Sequence, residues 1–263
     1  MRPFRRIEGD VDSGLLLLCD HASNALPEAY GSLGLPEFEL HRHIAYDIGV
    51  AQVTERVAAA VGAPALLSRY SRLLIDPNRG IDDPTLIMQL SDGFVVPGNA
   101  NLDDGERQAR IERYYEPYHR AIATSVDAAM AAGKPPVLLA LHSYTSTWKG
   151  VQRPWHAAVL WDKDPRFARP LLAGLQDLPD ATVGNNVPYT GKLKGDTLYR
   201  HATSRGLAHA LLEIRQDLIM SKEGQVEWSG RLARVVRKLL SDSGLATQLH
   251  RTEHYGSHTD GMP

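Results

Sequence analysis

Cysteine is almost absent: the chain of 263 residues holds one, Cys19. An internal disulfide framework is therefore excluded, and the usage fits a reducing compartment. Cys19 lies inside an apolar run, so it reads as a buried, inert thiol rather than a nucleophile. An excess of either charge is also missing. With 29 lysines and arginines against 31 acidic residues the formal net charge is −2, which excludes the basic footprint of a nucleic-acid binder. No stretch reaches the roughly 20 apolar residues of a membrane helix. After basic Arg2, Arg5 and Arg6, the acidic Glu8, Asp10 and Asp12 stand where a signal peptide would have its apolar core. A cytoplasmic protein with neither a nucleic-acid nor a membrane partner is the expectation.

Hydrophobic residues make up 43% of the chain, enough for a sizeable core. Apolar runs of strand length at 15–19, 65–68, 73–75, 138–144, 157–161 and 209–214 alternate with helical periodicity at 39–61, 103–132, 165–175, 197–205 and 229–240. This alternation predicts an α/β fold with one mixed, mostly parallel sheet covered by helices on both faces. No repeat or composition break divides the chain, so residues 1–243 are expected to form a single catalytic domain. Residues 244–263, which carry His250, His254 and His258, read as a mobile polar tail with little to bury. Pro117 is expected to kink or interrupt the 103–132 helix. Residues 81–102 are poor in regular signals, and a stretch of that length within a compact domain is expected to cover a site.

Two of the apolar runs end alike. Leu15-Leu16-Leu17-Leu18-Cys19-Asp20-His21 and Leu138-Leu139-Ala140-Leu141-His142 each deliver an imidazole at the C-terminal edge of a strand, where open α/β sheets place their ligands. The two rings are either zinc ligands or unrelated histidines that satisfy hydrogen bonds. Catalytic zinc takes three protein ligands and keeps a position for water, so a third donor is needed. Asn24 stands three residues after His21, where many mononuclear zinc enzymes carry a glutamate, but a neutral amide is a poor zinc ligand. Asp47, the one acid in the stretch 43–49, is favoured; its alternative is a carboxylate at a helix N-terminus. Glu213 interrupts an apolar strand, where an ionised carboxylate is costly unless it is paired or has a task. It is either a general base close to a metal-bound water or the partner of Arg215 on the same strand face. Asn78 and Arg79 follow the 73–75 run, and Arg69 and Arg72 precede it; a guanidinium there can hold a carboxylate bidentately. Lys192 and Lys194 are either solvated or an additional positive charge over an acidic substrate. Ser143 and Tyr144, beyond His142, and His119 on the long helix are further candidates for lining the pocket.

Taken in order, Cys19-Asp20-His21-Ala22-Ser23-Asn24, Ala45-Tyr46-Asp47-Ile48-Gly49, Ser68-Arg69-Tyr70-Ser71-Arg72, Ile75-Asp76-Pro77-Asn78-Arg79, Tyr115-Glu116-Pro117-Tyr118-His119, Leu141-His142-Ser143 and Leu212-Glu213-Ile214-Arg215 resemble the N-formylglutamate amidohydrolase family. The wider likeness is to zinc carboxypeptidases and aspartoacylases, and it spans roughly residues 14–240. The resemblance implies a zinc-carboxypeptidase-like (phosphorylase/hydrolase-like) fold and one catalytic zinc per chain, with His21 and His142 as ligands. It also implies Asn78-Arg79 on the substrate carboxylate and Glu213 as general base. The implied reaction is hydrolysis of a small acidic N-acyl amino acid such as N-formylglutamate, a deformylation in histidine degradation, by a monomer or homodimer. Relatives in the wider group place a glutamate ligand where Asn24 stands, which leaves the third ligand between Asp47 and Asn24. A metallocarboxypeptidase or peptidoglycan-type amidase would use the same ligands in an open cleft, whereas a segment 81–102 folded over the pocket implies small substrates. A third reading is a relative that binds a carboxylate or metal without turnover.

Overall fold

The computed structural model describes residues 2–262. A seven-stranded sheet is built from β1 (Phe4–Ile7), β2 (Leu15–Cys19), β3 (Ala65–Ser68), β4 (Val137–Tyr144), β5 (Ala157–Leu160), β6 (Val183–Asn185) and β7 (His209–Arg215). Their spatial order is β1-β3-β2-β4-β7-β5-β6. Strands β3, β2, β4 and β7 run parallel; β1 joins β3 and β5 joins β7 antiparallel, and β6 lies parallel to β5. The helices are α1 (Val50–Val61), α2 (Asp104–Arg110), α3 (Glu116–Ala131), α4 (Ala168–Gln176), α5 (Thr197–His201), α6 (Lys222–Ser241) and α7 (Ser243–Leu249). This is the single-domain, mostly parallel α/β architecture that the alternating pattern predicts.

The central strands β2, β4 and β7 are buried at every position because helices cover both faces. Alternation along each strand sorts the side chains. Leu17, Leu139, Leu141, Leu212 and Ile214 pack with Val53 of α1, Leu171 of α4 and Leu232 of α6. Leu16, Leu18, Leu138, Ala140 and Leu211 pack with Ile122 and Val126 of α3 and Leu198 of α5. By the same period of two, His142 and Glu213 follow Ala140 and Leu211 onto the α3/α5 face, and the parallel register sets them opposite each other. Cys19 is fully buried in this core, and burial pushes its thiol well above its ordinary pKa. No helix among the described residues is long and apolar enough to cross a membrane.

Several expected elements differ. Leu73–Ile75 is a turn and not a strand: Ser71 Oγ accepts from Leu73 N at 3.1 Å, and Leu74 N reaches Ser71 O at 3.0 Å. Its apolar side chains are there to pack into two satellite cores around residues 30–46 and 86–115, not to join the sheet. The helix expected from residue 39 begins only at Val50. Gly49 ahead of it has φ +81°, and a Cβ there would lie 2.1 Å from Ile219 O. The long helix keeps its length but widens into a π turn, Ile111–Tyr115, directly before Pro117. The helix expected from residue 229 starts at Lys222, capped by Ser221, whose Oγ accepts from Gly224 N. The N-terminal lead-in contains edge strand β1. The 244–263 segment has more to bury than its polarity suggests: α7 ends on buried Leu249, and Ser257 and Thr259 are buried, with Ser257 Oγ donating to Asp162 at 2.6 Å.

Candidate metal centre and cavity

His21 lies just beyond β2, Asp47 ahead of α1 and His142 within β4, and all three are buried. One donor atom from each lies within 4.8 Å of the others. The imidazole Nδ1 atoms of His21 and His142 approach the same oxygen, Asp47 Oδ2, at 3.4 and 3.0 Å. Each ring is held from behind at its other nitrogen. His21 Nε2 lies 2.7 Å from Asp76 Oδ1, and His142 Nε2 lies 3.0 Å from Asp20 Oδ2. These carboxylates are in turn fixed. Asp76 accepts from Arg72 Nη2 at 2.6 Å and from Asn78 N at 2.9 Å. Asp20 accepts from Tyr118 OH and Thr197 Oγ1, both at 2.9 Å. Gly49 has a function here as well, since it lets the chain pass against Ile219 O two residues after Asp47.

The electrostatics favour positive charge between these groups. Burial works against ionising Asp20, Asp47 and Asp76, yet His142 for Asp20, His21 for Asp47 and Arg72 for Asp76 outweigh it and lower all three carboxyls. Burial likewise opposes a charged His142, but its bonds to Asp20 and Asp47 hold the ring well above its ordinary pKa. Two nitrogens and one carboxylate oxygen form the mixed donor set of a catalytic zinc site, and outer carboxylates on both rings fix their orientation as in known zinc centres. The donor set therefore fits zinc.

Beside it opens a cavity of about 590 Å³ lined by His21, Asp47, His142, Arg72, Asn78, Arg79 and Glu213, among others. Glu213 is buried and its Oε2 has no hydrogen-bond partner. Burial, with Asp47 adding to it, pushes this carboxyl up to about 7. Arg215 does not neutralise it; its guanidinium turns to Asp217 at 2.8 Å. Arg79 donates through Nη1 to Asn78 O at 2.9 Å and through Nε to Thr85 Oγ1 at 3.2 Å. Asn78 Oδ1 accepts from Thr197 N at 3.1 Å, which sets its amide NH₂ as a donor.

Other sequence candidates take different places. Asn24 does not line the cavity, and its amide donates to Leu40 O at 2.9 Å. Arg69 donates to Phe4 O at 3.1 Å and does not line the cavity. His119 is enclosed behind it, with Nε2 on Pro77 O at 3.0 Å and Nδ1 on His201 Nε2 at 2.9 Å, and burial drives its pKa well down. Ser143 lines the cavity, but its N donates to Asp47 Oδ2 and its Oγ to Ile48 O, so its bonds hold the Asp47 carboxylate and the chain beside it. Tyr144 presents its ring, its hydroxyl being bonded to Trp155 O at 2.6 Å. Lys192 and Lys194 are exposed outside the cavity. The segment 81–102 does not cover the cavity either; it packs behind the 71–76 turn, where Asp76 N meets Leu86 O at 2.7 Å. The wall on that side comes instead from Asn186, Pro188, Tyr189, Thr190 and Leu193. Sequence reading missed that wall and the two supporting carboxylates. Asp20 and Asp76 sit in quoted motifs, yet nothing in their spacing shows which ring each will meet.

Residues 13–220 match the family model for N-formylglutamate amidohydrolase. A gene product of Agrobacterium tumefaciens with a solved structure is 34% identical, with a TM-score of 0.85 over 92% of this chain and 96% of that one. An N-formylglutamate amidohydrolase from Ralstonia eutropha is 23% identical and shares the fold, with a TM-score of 0.70 over 90% of this chain and 97% of that one. No match was found among curated proteins.

Proposed function

Because the chain belongs to the N-formylglutamate amidohydrolase family, a group of hydrolases acting on carbon–nitrogen amide bonds, we propose that it is a zinc-dependent hydrolase of a small N-acyl amino acid. The observation that carries this reading is the convergence of His21 Nδ1, His142 Nδ1 and Asp47 Oδ2, with Asp76 and Asp20 holding the outer ring nitrogens. The chemistry supplied by zinc bound there is Lewis-acid polarisation of the amide carbonyl and acidification of water. Glu213 faces the same cavity with an uncommitted oxygen and a pKa of about 7, so near neutral pH it can both accept a proton from water and release it to the departing nitrogen. Asn78 and Arg79 anchor the substrate carboxylate, and Asp76 keeps Arg72 turned towards the centre.

A cavity of about 590 Å³ is the size that takes a small molecule, and because segment 81–102 does not fold over it, peptide amides belong in the same substrate screen. N-formylglutamate, which gives the family its name, is the first compound to assay. Glu213→Gln is expected to lower kcat on an N-formyl amino acid by about 10²–10⁴-fold while the protein still binds one zinc. Full activity in that variant would remove Glu213 from the mechanism, and loss of zinc along with activity would make it a structural residue.

A further inference from the structure

The cavity wall that begins at Asn186 is fastened at its start to the end of β5. Asn186 Oδ1 accepts from Trp161 N at 3.0 Å and from Gly191 N at 3.1 Å, and Asn185 Oδ1 accepts from Trp161 Nε1 at 2.7 Å. Gly191 lies so close to the same residue that a Cβ there would stand 2.4 Å from Trp161 N. The stretch that follows, up to the start of α5 at Thr197, belongs to no strand or helix. It meets the rest of the molecule at a seam, where a Cβ added to Gly195 would lie 2.9 Å from Gly80 Cα, so no side chain can stand between the two backbones. The seam is a partition. Arg79 and Leu193 line the cavity beside the metal centre, whereas Gly80, Lys194 and Gly195, next to them in the chain, line a second cavity of about 630 Å³.

The C-terminal segment reaches the same place. Lys194 Nζ donates to Met262 O at 2.8 Å, and Tyr199 OH donates to Asp260 Oδ1 at 3.0 Å. The segment is itself anchored on Asp162, the residue after Trp161. Ser257 Oγ and His258 N donate to Asp162 Oδ2 at 2.6 and 2.8 Å, and His258 Nδ1 donates to Oδ1. Ser257 and Thr259 are buried there. Wall and segment are thus tied to one strand end, and the segment holds the part of the wall that this strand end does not reach.

We propose that residues 257–262 are a strap that positions the cavity wall, with Lys194 and Tyr199 as the positioning residues through which it acts. The strap keeps Gly195 on Gly80 and so keeps the two cavities apart. With the strap released, the partition loosens and a bound substrate loses one of the surfaces that confine it. The kinetic part of this inference rests on the amidohydrolase reading; the structural part does not.

The test uses two full-length variants. Lys194→Met combined with Tyr199→Phe removes both links between strap and wall. Asp162→Asn sets an NH₂ against the donors of Ser257 or His258 and loosens the anchor. In each, amide hydrogen exchange in residues 186–196 is expected to quicken at least about threefold while β4 and β7 keep the parent's rates. Zinc stays at one per chain, and KM for an N-formyl amino acid is expected to rise at least about threefold with kcat within about twofold. Exchange that stays at the parent's rate in 186–196 would overturn the strap, as would quickening spread evenly over the sheet. Faster local exchange with an unchanged KM would overturn its role in confining substrate. A parent protein that hydrolyses no N-formyl compound would overturn the amidohydrolase reading, and the exchange result would still decide the strap.

Discussion

Glu213 is held where its charge is unwelcome. Its carboxyl has a folded pKa of about 7 against an ordinary 4.5, chiefly through burial. Between those values the folded protein binds a proton that the unfolded chain has released, so stability falls as pH rises through this window. By pH 8 the loss is nearly complete, on the order of 3 kcal/mol. Metal-free Glu213→Gln should therefore be more stable than the parent at pH 8 and no more stable at pH 4, as urea unfolding at the two pH values would show; a pH-independent difference would reject this origin. Asp20 presents a second case. It accepts from His142, Tyr118 and Thr197 at once, and an asparagine NH₂ cannot take the place of an accepting oxygen. Asp20→Asn is expected to weaken zinc binding about 10–100-fold in a competition titration with a chromophoric chelator; an unchanged affinity would mean that His142 is not held through Asp20. These residues also show what could be read from sequence. His21, His142 and Glu213 stand out because each breaks an apolar strand run. Arg69 and Arg72, three residues apart in one motif, do not separate until the chain turns at Ser71 and sends one to the Phe4 carbonyl and the other to Asp76.

At the scale of elements, the site depends on the 71–79 turn, and the brace behind that turn is Arg110. It is 2% exposed at the end of α2, where it bonds to Leu74 O at 3.0 Å, Asn99 Oδ1 at 2.7 Å and Glu106 at 2.9 Å, and lies against the Tyr30 ring. Arg110 thus links the 81–102 segment to the turn that carries Asp76, Asn78 and Arg79. Arg110→Met would leave Leu74 O and Asn99 Oδ1 without this donor and is expected to cost about 2–4 kcal/mol. Hydrogen exchange should quicken first in residues 71–102; a uniform change across the sheet would argue against a local brace. This dependence explains the misread elements. Leu73-Leu74-Ile75 has the composition of a strand because it fills satellite cores, and periodicity cannot distinguish that use from a place in the sheet. The buried strands β2, β3, β4 and β7 were legible because burial on both faces writes a continuous apolar run.

For the whole molecule, the sheet brings together residues from distant parts of the chain. The ends of β2, β4 and β7 supply His21, His142 and Glu213, while Asp47, Asp76 and Arg79 arrive on loops between elements. Strand-borne residues could be placed from sequence by the rule that ligands gather at the carboxyl ends of parallel strands. Loop-borne ones could not, since their direction is set by contacts such as Ser143 N to Asp47 and Asn78 N to Asp76. A cation bound among His21, Asp47 and His142 would stabilise only the state that assembles them, so added zinc is expected to raise the protein's stability. The most direct test is a zinc titration of chelator-treated, tag-free protein followed by hydrolysis of an N-formyl amino acid. The expected result is activity that is absent at first and returns to a plateau at one zinc per chain. Activity that survives chelation, or that ignores added zinc, would contradict a zinc amidohydrolase centred on His21, Asp47 and His142.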